Sequence, residues 1–169
     1  MRSKLLLSIA AAALVIGSSI SWAEEETTPA QLAQVLPQAT ILLDQGLKAS
    51  ASKGTPISAK YEIEHGALQL SVYTMSGGKF DEVIVDHKAG TVAKSESITS
   101  GDDLKAATEQ GAAMAKAKVT LAAAVESAVK ANAGYRAVEV EAKLDGGKPV
   151  AAITLMKGQE VRKVTSKLD

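Results

Sequence analysis

Apolar and polar residues alternate in two separate stretches of this chain, and each stretch is preceded by apolar residues at helical spacing. Between 57 and 64, Ile57, Ala59, Tyr61 and Ile63 share one parity while Ser58, Lys60, Glu62 and Glu64 share the other. That two-residue period predicts a strand with one covered face. His65 and Gly66 read as a tight turn, after which Leu68, Leu70 and Val72 resume the alternation. Ser76, Gly77 and Gly78 make a second turn before a strand over 80–85. Upstream, Leu36, Thr40, Leu43 and Leu47 predict a helix from Pro37 to about Ser50, with Gly54 and Pro56 ending it. A shorter helix begins at Pro29 with Thr28 as its cap. The unit is a helix followed by an antiparallel meander, which needs the helix to cover its apolar face.

The same unit recurs. Thr120 caps a helix running to about Ala131, and strands over 136–144, 150–156 and 159–164 follow, with glycine turns at Gly146, Gly147 and Gly158. Leu43 to Ala49 aligns with Val125 to Ala131 at a separation of 82, and Met75 and Gly77 align with Met156 and Gly158 at 81. A repeat this long predicts domains rather than solenoid turns. Between the copies, residues 104–118 are alanine-rich and predict a connecting helix, with Ser100 and Asp103 approximating a capping box. The expected fold class is α+β: two repeated modules, each a helix packed on a small antiparallel β-meander, joined by the alanine-rich helix. The boundaries are 24–95, 96–118 and 119–169.

Arg2 and Lys4 precede an apolar run over 5–16, and Ser21, Trp22 and Ala23 place small residues before a cleavage point after Ala23. The run is too short for the roughly 20 residues of a spanning helix, so residues 1–23 read as a secretory signal peptide. A periplasmic or secreted protein with no membrane span after cleavage is expected. There is no cysteine, which excludes disulfides and zinc–thiolate sites. Beyond residue 23, 19 acidic side chains face 17 basic ones, a balance that disfavours nucleic acid as a partner. The acids concentrate in 24–117 and the bases in 118–169. Neither a nucleophile elbow nor the two-histidine zinc-protease helix occurs, and the glycine pairs sit in hairpins rather than phosphate loops. No enzyme activity is expected.

The export signal, the helices, the glycine break and the closing run Val85, Asp86, His87, Lys88, Ala89, Gly90, Thr91, Val92 resemble the PepSY domain family, over about 36–92 and, in a form lacking the closing aspartate and glycine, 119–168. The resemblance implies small α+β modules of exported bacterial proteins and of metallopeptidase propeptides, with a proposed inhibitory role and no active site. The leading expectation is a non-enzymatic periplasmic binding or modulator protein restraining an envelope peptidase. An alternative is a metal-binding protein using Glu62, Glu64, His65, Asp86 and His87, which the meander topology places at one rim about 10 Å across. Carboxylates there suit a hard cation such as calcium or a lanthanide, and the histidines suit zinc or copper. Apart from such a cation, no cofactor is expected. A third reading is an envelope interaction scaffold, with the 80–85 strand as a candidate edge for strand addition by a partner.

Overall fold

The computed structural model describes residues 27–169, so the expected signal peptide lies outside the described residues. Helix α1 (Pro29–Val35) starts where Thr28 predicts: Thr28 Oγ1 accepts the Gln31 N–H, and Gln31 Oε1 accepts the Thr28 N–H at 2.9 Å. Pro37 stops this helix within a 3-10 turn at Leu36–Gln38. The helix expected over 37–50 forms only in its second half, as α2 (Leu43–Ser50). Tertiary bonds claim the rest. The N–H groups of Thr40 and Ile41 donate to the His87 carbonyl at 3.0 and 3.3 Å, and the Thr40 hydroxyl donates to the Lys88 carbonyl at 2.6 Å.

Strands β1 (Thr55–Glu64), β2 (Ala67–Ser76), β3 (Lys79–Val85) and β4 (Val92–Ile98) precede helices α3 (Gly101–Met114) and α4 (Leu121–Ala131), and β5 (Arg136–Asp145), β6 (Lys148–Lys157) and β7 (Glu160–Lys167) follow. All seven strands form one antiparallel sheet in the order β4-β3-β2-β1-β5-β6-β7. The fold is α+β and a single domain, which corrects the expectation of two modules with separate sheets. The two meanders join where β1 meets β5, pairing Ser58 with Glu141, Ala59 with Val140 and Lys60 with Glu139. The physical reason is twofold: each meander alone presents a bare strand edge, and fewer than roughly 80 residues give only a marginal core. Bulges lie between Pro56 and Ser58 and between Ala137 and Glu139, and the extra residues, Ile57 and Val138, are both buried.

Strand β4 is absent from the sequence expectation. Its residues are exposed along nearly the whole strand, so no apolar alternation marks it. It crosses the boundary expected at residues 95 and 96, and it covers β3. The 80–85 strand is therefore internal, and the edges are β4 and β7.

One sheet face carries Ala59, Tyr61, Leu70, Val72, Val83, Val85, Val140, Ile153 and Leu155, all buried in one apolar cluster with Leu43 and Leu47 of α2 and Leu121 and Val125 of α4. Gly46 lets α2 approach Leu70 so closely that a Cβ there would lie 2.5 Å from Leu70 Cδ2. The opposite face is spanned by α3, which touches β1, β2, β3, β5 and β6. The expected connector is thus a third layer over one sheet, with Gly111 seated against Met75 and Phe80. Thr120 caps α4 as expected, accepting the Ala123 N–H at 3.2 Å. Ser100 makes no side-chain cap bond, and the Asp103 carboxylate accepts the Tyr73 phenol at 2.8 Å.

Arg136 fastens the second half of the chain to the first. Its Nη1 donates to the carbonyls of Ala39 at 3.1 Å and Leu36 at 3.5 Å, and its Nη2 to the Ile41 carbonyl and, at 3.3 Å, to Tyr61 Oη. The guanidinium lies 5.2 Å from the Tyr61 ring centroid, and Tyr61 donates its own hydroxyl to Ile41 O at 2.8 Å. Three carbonyls freed by the broken helix thus share one cation.

Candidate binding cleft

The polar parity of β1 places Ser58, Lys60 and Glu62 on the α3 face of the sheet. Register then sets Tyr73 and Ser71 of β2 and Glu141 and Glu139 of β5 directly opposite Ser58 and Lys60. Because α3 stands over these residues with Ala106 and Gln110, a cleft of about 180 Å³ remains between helix and sheet, centred on the β1–β5 junction. Its walls mix the apolar Ala59, Ala106 and Val140 with polar side chains, among which the two glutamates Glu139 and Glu141 outnumber the one lysine, Lys60.

The acids in and beside the cleft are partnered, some across neighbouring strands and some within one. Ser71 Oγ donates to Glu82 Oε1 at 2.5 Å and Thr154 Oγ1 to Glu139 Oε2 at 2.8 Å. Lys60 pairs with Glu62 at 2.6 Å, and Lys143 pairs with Glu141 at 2.6 Å. Burial raises the Glu62 carboxyl above its ordinary value; Lys60 opposes the shift, while Glu82 and Glu64 add to it. The Tyr73 phenol is also pushed up, first by burial and then by its bond to Asp103, so it stays protonated as a donor. The Lys143 ammonium is raised by its bond to Glu141. Gln110 Oε1 is buried without a hydrogen-bond partner.

The five expected metal ligands do not share this cleft, and the structure does not gather them elsewhere. Glu64 and His65 contact each other at 3.2 Å at the β1–β2 hairpin, with the His65 side chain 91% exposed. His65 takes a left-handed φ of 49° beside Gly66 at 78°, and its ring points into solvent to meet the turn's geometry. The Asp86 carboxylate accepts the N–H groups of Lys88 and Ala89 at 2.8 and 2.9 Å. Those bonds, Ala89's first, hold it below the usual carboxylate range. His87 lends its carbonyl to Thr40 and Ile41, and its Nδ1 is buried with no partner. Glu62 faces Lys60. Among the described residues, no group of three or more His, Cys, Asp or Glu side chains converges as a metal site.

The residues that do meet were missed by sequence reasoning. Ser71, Tyr73, Asp103, Gln110, Glu139 and Glu141 come from three elements, β2, α3 and β5, and β1–β5 pairing joins positions 79 to 83 apart. The available signal was the polar parity of β1 together with Tyr73 and Glu82 on matching parities. An amphipathic helix, α3, was also present to cover that face.

Among the described residues, no helix is long and apolar enough to cross a membrane. No protein-family profile and no curated protein matches this chain. A comparison of structures finds similarity to a crystal structure described as "a putative lipoprotein" from Clostridium difficile 630. It is 11% identical, covers 86% of this chain and 90% of that one, and has a TM-score of 0.41.

Proposed function

We propose that this chain is an exported, non-enzymatic binding or modulator protein, made of two PepSY-like units fused through one sheet, and that it holds an extended basic segment of an envelope protein. An envelope peptidase is the partner class the PepSY resemblance suggests. The observation that carries the reading is the glutamate-lined cleft at the β1–β5 junction. Glu139 and Glu141 line it directly, with Glu62, Glu82 and Asp103 bonded to its lining or neighbouring side chains, against the two lysines Lys60 and Lys143. A lysine or arginine side chain is the complement of that excess. Ser71 is 1% exposed and its hydroxyl is already donated to Glu82, so it forms the floor of the cleft and is not placed as a nucleophile. That supports binding rather than catalysis.

Support for two fused units comes from matching irregularities. The buried bulge residues Ile57 and Val138 are 81 positions apart, as are the turn residues Gly66 and Gly147, with φ of 78° and 80°. The N–H groups of Thr40 and Ile41 converge on the His87 carbonyl, and those of Lys118 and Val119 converge on the Leu168 carbonyl, the acceptors 81 and the donors 78 positions apart. Bulges and doubled turn bonds follow backbone geometry, not composition.

The test is fluorescence anisotropy with a labelled decapeptide of alternating lysine and alanine. Binding by the wild type, weakened at least about tenfold in Glu139→Gln/Glu141→Gln, is expected, since charged contacts are worth more than about 1.4 kcal/mol. Equal binding by both proteins would remove the cleft as the site. Export is checked separately, by the mass of the protein recovered from the periplasm, which should begin at Glu24.

A further inference from the structure

The outer edge of β4 is self-complementary, and we propose that it joins two copies of this chain into a two-fold symmetric dimer with one continuous sheet. Strand β4 is an edge, bounded on one side only by β3. Residues 93–97 are exposed along it. Antiparallel pairing of two β4 strands about Ser95 sets Lys94 against Glu96 of the second copy, and the symmetry makes that pair twice. Ala93 then meets Ser97, and Ser95 meets itself. Lys94 and Glu96 share the α3 face of the sheet, opposite Ile84 and Glu82 of β3.

The protomer's own charges favour this partner. Glu96 lies directly opposite Glu82, a like-charge cross-strand pair. Lys94 answers it only from within the same strand, at 2.8 Å, with both side chains about 60% exposed. Pairing of copies adds a second lysine beside each Glu96. The register shift between Ile84 and Val85 leaves Ala93 as the extra residue on β4, so the regular part of the added ladder is 94–96 with the bulged Ala93 at its end, and the dimer is small and depends on concentration.

The other edge does not offer this. On β7, Val161, Lys163, Thr165 and Lys167 share the α3 face, and no antiparallel register of two such strands brings opposite charges together there. A β4–β7 contact between copies would be heterologous and would propagate as a filament instead of closing. Within the protomer, β1 and β5 already show the proposed geometry, with Lys60 opposite Glu139 beside the central Ala59–Val140 pair.

Sedimentation equilibrium over a concentration series up to about 500 µM tests the proposal, the upper limit being set by the small interface. The wild type should show a dimer mass at the top of the series. Lys94→Glu, which places glutamates opposite Glu96 at both sites, should remain monomeric and folded, with a melting temperature lowered by no more than about 3 °C, since the ion pair it loses is exposed. Lys94→Glu/Glu96→Lys exchanges the charges and should restore the dimer. A wild type monomeric throughout, a Lys94→Glu protein that still dimerises, or a charge-exchanged protein that stays monomeric each overturns it.

Discussion

Arg136→Ala is the sharpest test of how the two halves are fastened. The substitution leaves the carbonyls of Leu36, Ala39 and Ile41 without their guanidinium donor and removes the cation stacked on Tyr61. Hydrogen bonds to a charged group contribute roughly 1.5–3 kcal/mol each, and they are not additive within one network. With three backbone carbonyls left short of a donor at once, a total of about 3–5 kcal/mol is expected. Such a loss is a fifth or more of the about 5–15 kcal/mol that holds a typical domain together. At about 2–4 °C per kcal/mol for a chain near this size, the melting temperature should fall by about 10 °C. Urea unfolding of Arg136→Ala and Arg136→Met separates packing from hydrogen bonding, because methionine keeps the apolar stem and carries no donor. Both variants should lose most of the same stability. A loss below about 1 kcal/mol in Arg136→Ala, the value of a single ordinary hydrogen bond, would refute the fastening role.

Four further outcomes are expected. All three tyrosines titrate above their ordinary value: Tyr61 and Tyr73 chiefly through burial, and Tyr135 chiefly through its bond to Glu160. Absorbance at the tyrosinate band should therefore stay below half its maximum at pH 10, and stability should fall as pH rises above the unfolded phenol value, because only the unfolded chain releases protons there. The Glu62 carboxyl is raised, so its charged form costs stability that appears as pH rises through the folded value; Glu62→Gln should melt higher than wild type by up to about 1 kcal/mol near pH 7 and match it near pH 3. His65→Asn should stabilise the protein by about 0.5–1 kcal/mol in urea unfolding, because asparagine tolerates the left-handed conformation of the first turn position better. Gly46→Ala should lower stability by about 1–2 kcal/mol in the same assay, since displacement of the fully buried Leu70 outweighs the gain in helix propensity.

Local patterns were legible wherever a residue's role was decided by its neighbours in sequence. The alternation of Ala59 and Tyr61 with Lys60 and Glu62 gave β1, and Thr28 and Thr120 gave two helix starts. Residues 39–42 have real helical spacing, but the N–H groups of Thr40 and Ile41 are taken by the carbonyl of His87, a partner 47 and 46 positions away. Strand β4 was invisible because an exposed edge needs no apolar parity. Glu62, Glu64, His65, Asp86 and His87 are near one another in the expected meander yet do not converge among the described residues: the Asp86 carboxylate is occupied by its own turn, and His65 points outward. The cleft could not be read at all without the pairing of β1 with β5.

That pairing also sets an order of events for a chain being synthesised. The β1–β2 and β5–β6 hairpins close through two-residue turns, whereas Ser58 and Glu141 must meet across 83 positions. Closing so long a loop costs roughly 4 kcal/mol of chain entropy, which hairpin contacts do not incur. The first meander can therefore form early while β1 stays bare, and Arg136 is not yet present to tie down the broken helix. At about 5–20 residues per second, synthesis of the segment from the β1–β2 turn to the start of β5 takes roughly 4–14 s. During those seconds the nascent protein carries a pairing-competent strand that only its own second half is shaped to cover.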